Sequence, residues 1–139
     1  MNNGEDNEAL VRALFENASA GRFEALQEIV ADDYIVRPEN VRGPDGLREM
    51  IEGYREALSD LRVAIDQQFT QGDFVATRYR IQGTHDGELM GTPATGKAVE
   101  FSGITISRCE GGRITEEWEL VDTMGLLTQI GALPQPAAS

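Results

Sequence analysis

A chain of 139 residues has the length of one domain, and 40 % apolar residues suffice to fill one core. Its 24 acidic against 12 basic residues leave a net charge of −12, which repels nucleic acids and anionic membranes and sets both aside as partners. Cys109 is the single cysteine, so no internal disulfide forms, and no apolar run reaches the ~18–20 residues of a membrane span. The polar, acidic start, Met1 to Asn7, lacks the pattern of a signal peptide, and a cytoplasmic address is expected by default.

Taken in order, residues 1–7 are expected to be a flexible lead, 8–131 the folded domain and 132–139 a flexible tail containing Pro134 and Pro136. From Glu8 to Ser19, Leu10, Leu14 and Ala18 recur at helical spacing beside Val11 and Phe15. After Gly21, a second short helix carries Phe23, Leu26, Ile29 and Val30. Asp32 and Asp33 are expected to break it before a short strand, Tyr34-Ile35-Val36. Gly43-Pro44-Asp45-Gly46 opens a third helix with Leu47, Met50, Ile51, Tyr54 and Leu58 on one face.

Near Asp60 the period changes to two. Leu61, Val63 and Ile65 alternate with polar residues up to Thr70, Phe74 to Gly83 is a second strand, and Ala98 to Arg108 a third. Glu110-Gly111-Gly112 signals a hairpin into Arg113 to Val121. A last short helix follows, capped by Asp122 or Thr123 and stopped by Gly131. Helices early and strands late predict an α+β fold with an antiparallel sheet covered by helices on one face.

Gly91-Thr92-Pro93-Ala94-Thr95-Gly96-Lys97 has the glycine and lysine spacing of a phosphate-binding loop. Ala98 stands where the magnesium-binding Ser or Thr belongs, and a strand follows instead of a helix, so nucleotide is not the expected ligand. His85 is the single histidine, which argues against a transition-metal site. No metal and no cofactor is expected.

The remaining candidates are His85 and carboxylates. His85, in Gly83-Thr84-His85-Asp86-Gly87, is either a proton shuttle or a loop histidine bonded to backbone. Strict alternation on the last strand aims Ile114, Glu116, Trp118, Leu120 and Asp122 toward the helices. Asp122 then ends an apolar stripe, where desolvation raises a carboxyl pKa. Equally, it is the N-cap of the next helix. Glu116 is a second acid/base candidate or the partner of an arginine. Arg78 and Arg80 share a face and either orient a carboxylate or are solvated.

Two segments resemble the SnoaL-like polyketide cyclase branch of the NTF2-like superfamily: Gly83 to Lys97, and Gly112 to Gly131 with its Glu117-Trp118-Glu119-Leu120-Val121-Asp122 run. The resemblance implies a cone-shaped, curved antiparallel sheet with three main helices on its concave face, similar in fold to ketosteroid isomerase and limonene epoxide hydrolase. It also implies cofactor-free intramolecular aldol cyclisation or isomerisation of a small apolar carbonyl compound, such as a polyketide. Asp122 falls on the acid/base and His85 on the pocket histidine. Trp118, Glu116, Arg37, Phe15, Tyr54 and Met50 are the expected pocket residues. Where members often place a histidine, this chain has Arg37-Pro38-Glu39-Asn40; Arg37 could serve an enolate or pair with Asp122. Epoxide opening and non-catalytic binding of a small molecule are the alternatives, and a homodimer or higher homo-oligomer is expected.

Overall fold

A computed structural model describes residues 3–133. Pro134, Pro136 and the rest of 134–139 lie outside the described residues. Helix α1 (Asn3–Ala20) begins ahead of the expected Glu8, so most of the supposed lead is helical. Its first turns are tied to the sheet: Thr70 donates to the Glu8 carboxylate, and the Gln68 amide donates to the Glu8 carbonyl at 3.4 Å.

A 3₁₀ turn (Phe23–Ala25) and one turn of helix, α2 (Leu26–Ile29), lead into strand β1 (Val30–Arg37). Asp32 and Asp33 do not break a helix here; they belong to that strand, which starts at Val30 because Val30 pairs with Ile114. Next come β2 (Val41–Arg42), helix α3 (Gly43–Ala57) with Pro44 in its first turn, and β3 (Leu58–Gln71). Proline suits that position, where its missing N–H would have no helical partner. Strands β4 (Phe74–His85), β5 (Ala98–Glu110) and β6 (Arg113–Val121) follow, then α4 (Thr123–Gln129). No helix is long and apolar enough to cross a membrane among the described residues.

The six strands form one curved, unclosed sheet in the order β2-β1-β6-β5-β4-β3. Every pairing is antiparallel except β1 with β6, which is parallel, so the sheet is mixed. That exception arises because β6 returns between β1 and β5 after the long excursion through α3 and four strands.

Helices α1 and α3 cover the concave face. Val11, Leu14, Leu26, Val30, Tyr34 and Leu47 belong to one core cluster there. A second cluster packs Leu126 of α4 and Ile130 at its C-cap with Val99 and Phe101 of β5. Strand β5 alternates exposed and buried along its whole length, so its odd-numbered residues face the helices.

The loop resembling a phosphate cradle forms no cradle. The Thr95 and Gly96 N–H groups donate to the His85 carbonyl at 3.1 and 2.8 Å, and β5 follows rather than a helix. Backbone donors already engaged in this way offer a phosphate little.

Candidate active site

The site depends on an irregularity in β6. Cys109 pairs with Ile114, but Arg108 pairs with Glu116, so Thr115 is an extra residue without an opposite number. Such a bulge inverts the alternation beyond it. Ile114 faces the helices as expected, and past the bulge Glu117 and Glu119 face them instead of Glu116 and Trp118. Glu117 is 4 % exposed, while Trp118 is 38 % and Leu120 76 % exposed.

Glu117 is held by two hydroxyls. Tyr34 donates to one oxygen and Ser107 to the other, both at 2.5 Å. Burial pushes its pKa up to about 7 against the opposing pull of these two hydrogen bonds, with the Glu119 charge adding to the rise. Glu119, two residues on, receives Tyr79 Oη at 2.8 Å and Thr105 Oγ1 at 3.3 Å on the same oxygen. Its pKa is also raised, first by burial. The Tyr79 phenol is pushed well above the ordinary tyrosine range by burial and by the Glu119 charge, so it remains a donor.

Both carboxylates open on an interior cavity between α1, α3 and the sheet. It has two lobes, of about 90 and 70 Å³. Phe15, Ala18, Met50, Ile51 and Glu119 border both lobes, Tyr54 and Tyr79 the larger one, and Tyr34 and Glu117 the smaller one. The Phe15 and Tyr79 rings meet at 4.8 Å between centroids. At the outer edge of the larger lobe, the Arg55 guanidinium of α3 donates to the Ser19 carbonyl of α1, clasping the two helices. A carboxylate in such walls can exchange a proton with a carbon acid, and the phenols can donate to oxygen.

The residues expected to form one pocket are divided by the sheet. Phe15, Met50 and Tyr54 line the interior cavity. Arg37, Trp118 and Asp122 line a groove of about 710 Å³ on the opposite face, with Ile104 and Leu120. Although larger, that groove is an open surface depression; Asp66, Glu119 and Asp122 are among its lining residues, and Asp122 is exposed rather than enclosed by apolar walls. Asp122 is the N-cap of α4: it accepts from the Gly125 N–H at 2.9 Å. Arg37 pairs with Glu116 at 2.7 Å rather than with Asp122. Arg80 and Arg78 share Asp66 on the outer face, at 2.9 and 3.8 Å.

His85 is the last residue of β4, not a loop residue, and is wholly buried. Its Nδ1 meets Thr95 Oγ1 at 2.9 Å, while Nε2 has no partner among the described residues. It lies four residues beyond Ile81 on the inward face of β4, and it is not among the lining residues of either lobe.

Sequence reasoning missed Glu117, Glu119, Tyr34 and Tyr79. The available signal was the opposite stripe of β6, in which Glu117, Glu119 and Val121 share a face. Only the bulge decides which stripe is inside.

This architecture is found in known proteins. Over 129 residues the chain is 26 % identical to the aklanonic acid methyl ester cyclase DnrD of Streptomyces peucetius, covering 88 % of each chain. TsrD from Streptomyces laurentii superposes with a TM-score of 0.86 at 26 % identity, covering 93 % of this chain and 97 % of TsrD. Wild-type IdmH from Streptomyces antibioticus gives 0.78 at 29 % identity, covering 90 % and 98 %. The profile of the SnoaL-like polyketide cyclases matches residues 8–130, nearly the whole described chain, and the protein belongs to that family.

Proposed function

We propose that the interior cavity performs cofactor-free acid/base chemistry on a small apolar carbonyl compound, with Glu119 as the group that moves the proton. The observation carrying this reading is the position of the Glu119 carboxylate. It borders both lobes of an apolar cavity, is hydrogen-bonded by Tyr79 and Thr105, and is made more basic by burial. Glu119 takes a proton from the carbon next to a carbonyl. In an aldol ring closure, the resulting enolate carbon attacks a second carbonyl of the same molecule, a C–C bond forms, and the new alkoxide takes the proton back from Glu119. In an isomerisation the proton returns to a different carbon. Tyr54, on the wall of the larger lobe, supplies an O–H for the developing enolate oxygen.

The family resemblance favours Asp122 instead, and one experiment separates the two. A panel of ketones, from a single ring up to aklanonic acid methyl ester, is incubated in deuterated buffer, and exchange of the protons beside the carbonyl is followed by NMR. On whichever compound reacts, Glu119→Gln should slow exchange by about 10²–10⁴, the usual worth of a positioned base. Asp122→Asn should leave it near the unsubstituted rate. Full activity in Glu119→Gln together with loss in Asp122→Asn would return the role to Asp122.

We also propose that the outer face is covered by a second copy of the chain. Cross-strand pairs Ile104–Leu120 and Ile106–Trp118 place four exposed apolar side chains side by side, and Phe74 stands 6.3 Å from Trp118, ring to ring. Arg80, Asp66 and Glu100 at the margin bring both signs of charge, as a self-complementary rim requires.

A further inference from the structure

We infer that the interior cavity selects an uncharged ketone of one ring, and excludes both large polycyclic molecules and carboxylate-bearing analogues. The inference rests on the reading that this cavity is where substrate reacts.

Size comes first. Sites for drug-sized ligands measure ~300–1,000 Å³. The two lobes here, about 90 and 70 Å³, together come nearer to the cavity of about 150 Å³ that accommodates benzene. The walls resist widening. Val63, Ile81 and Val121 on the sheet side are β-branched and stiff about χ1. On the helix side, the Arg55 clasp to Ser19 holds α3 against α1. The clasp is itself confined, because Gly21 leaves only 3.0 Å between the place of a Cβ and the guanidinium. Tyr79 is pinned on the remaining side by its bond to Glu119 and by close contact with Gly103.

Charge comes second. Neither lobe has an arginine, lysine or histidine among its lining residues, and both are bordered by Glu119, with Glu117 bordering the smaller. A bound carboxylate would lie in an apolar enclosure beside two carboxyl groups and no cation, which repels and desolvates it at once. An uncharged carbonyl compound incurs neither cost, and the phenols of Tyr54 and Tyr79 are present as donors.

The test uses the full chain with cyclohexanone, its anionic counterpart 4-oxocyclohexanecarboxylate, and aklanonic acid methyl ester as a large neutral ketone. Methyl-labelled methionine reports the location of binding: Met50 borders both lobes, whereas Met124 is exposed. Cyclohexanone should shift the Met50 methyl signal saturably, leave Met124 in place and raise Tm. It should also exchange its protons beside the carbonyl about 10²-fold faster than with Glu119→Gln. The carboxylate should bind at least about tenfold more weakly. Ala18→Leu, which fills space shared by both lobes, should abolish the Met50 response; if that variant does not fold, the Met50 and Met124 responses of the unsubstituted chain decide the outcome. Equal binding of the carboxylate, a saturable Met50 response to the large ester, or no Met50 response to cyclohexanone overturns the inference. Cyclohexanone bound at Met50 without Glu119-dependent exchange supports the size and charge selection but removes the catalytic reading. That outcome keeps the two failures apart.

Discussion

The ring of Tyr79 lies across Gly103, its direct partner on the neighbouring strand, so closely that a Cβ at position 103 would stand 2.6 Å from the phenol oxygen and from Cζ. Gly103 is therefore the space in which Tyr79 reaches Glu119. Gly103→Ala should destabilise the fold by about 1–3 kcal/mol, as overpacked core positions do. It should also displace the phenol from Glu119. Urea unfolding measures the first effect. A double-mutant cycle with Tyr79→Leu, which removes the colliding atoms, should show a coupling of at least about 0.5 kcal/mol; strict additivity would mean that the contact does not matter.

Glu117 links stability to pH. Its carboxyl pKa stands at about 7 in the folded chain against an ordinary 4.5. Between those values the folded state keeps a proton that the unfolded state has released. A proton held only by the folded state makes stability fall as pH rises through this window, then level off above about 7. The full effect is on the order of 3 kcal/mol, and Glu119, raised in the same direction, adds to it. Unfolding free energies measured across the window should show the decline, and Glu117→Gln should flatten most of it. A decline equally steep in that variant would assign the proton elsewhere.

Asp122 can be tested as a cap independently of any substrate. Asp122→Ala leaves the Gly125 N–H without its acceptor and should cost about 1 kcal/mol, whereas Asp122→Asn should be nearly neutral. Gly125 belongs to the same device, since a Cβ there would stand 2.2 Å from the Asp122 carboxylate. Equal losses in the Ala and Asn variants would indicate that the charge, and not the cap, is what matters.

On the outer face, Leu120→Glu should halve the mass seen in sedimentation and leave the melting profile of the monomer fold unchanged, because the side chain is 76 % exposed. An unaltered mass would place the contact between copies elsewhere.

Much of the fold was legible in the sequence because its signals are local. The apolar spacing of Leu10, Leu14 and Ala18, the Gly43-Pro44 opening of α3, and the Gly111-Gly112 hairpin each depend on neighbours a few residues away. Phe15, Met50 and Tyr54, expected in the pocket from the family resemblance and not from local spacing, border the interior cavity. What could not be read is set by partners distant in the chain. The parallel pairing of Val30 with Ile114 spans most of the molecule. Counting back from the hairpin puts Thr115 opposite Arg108, and nothing in Thr115-Glu116-Glu117 announces that Glu116 takes that place instead. One unannounced residue transferred the search from Glu117 and Glu119 to Trp118 and Asp122.

The bulge at Thr115 behaves like a reading frame. Downstream of it the strand carries two interleaved messages, an acidic one in Glu117 and Glu119 and an apolar one in Trp118 and Leu120, and the extra residue decides which is spoken inward. Deleting Thr115 would leave every facing as it is, whereas a slip that paired Thr115 with Arg108 would exchange them: tryptophan and leucine would be driven against α1 and α3, and the two carboxyl groups released to water. A change at this bulge that favoured the regular pairing would thus exchange an acidic interior for a greasy one while every other strand kept its place, a route by which members of one fold can remodel the cavity wall without altering a single side chain that lines it.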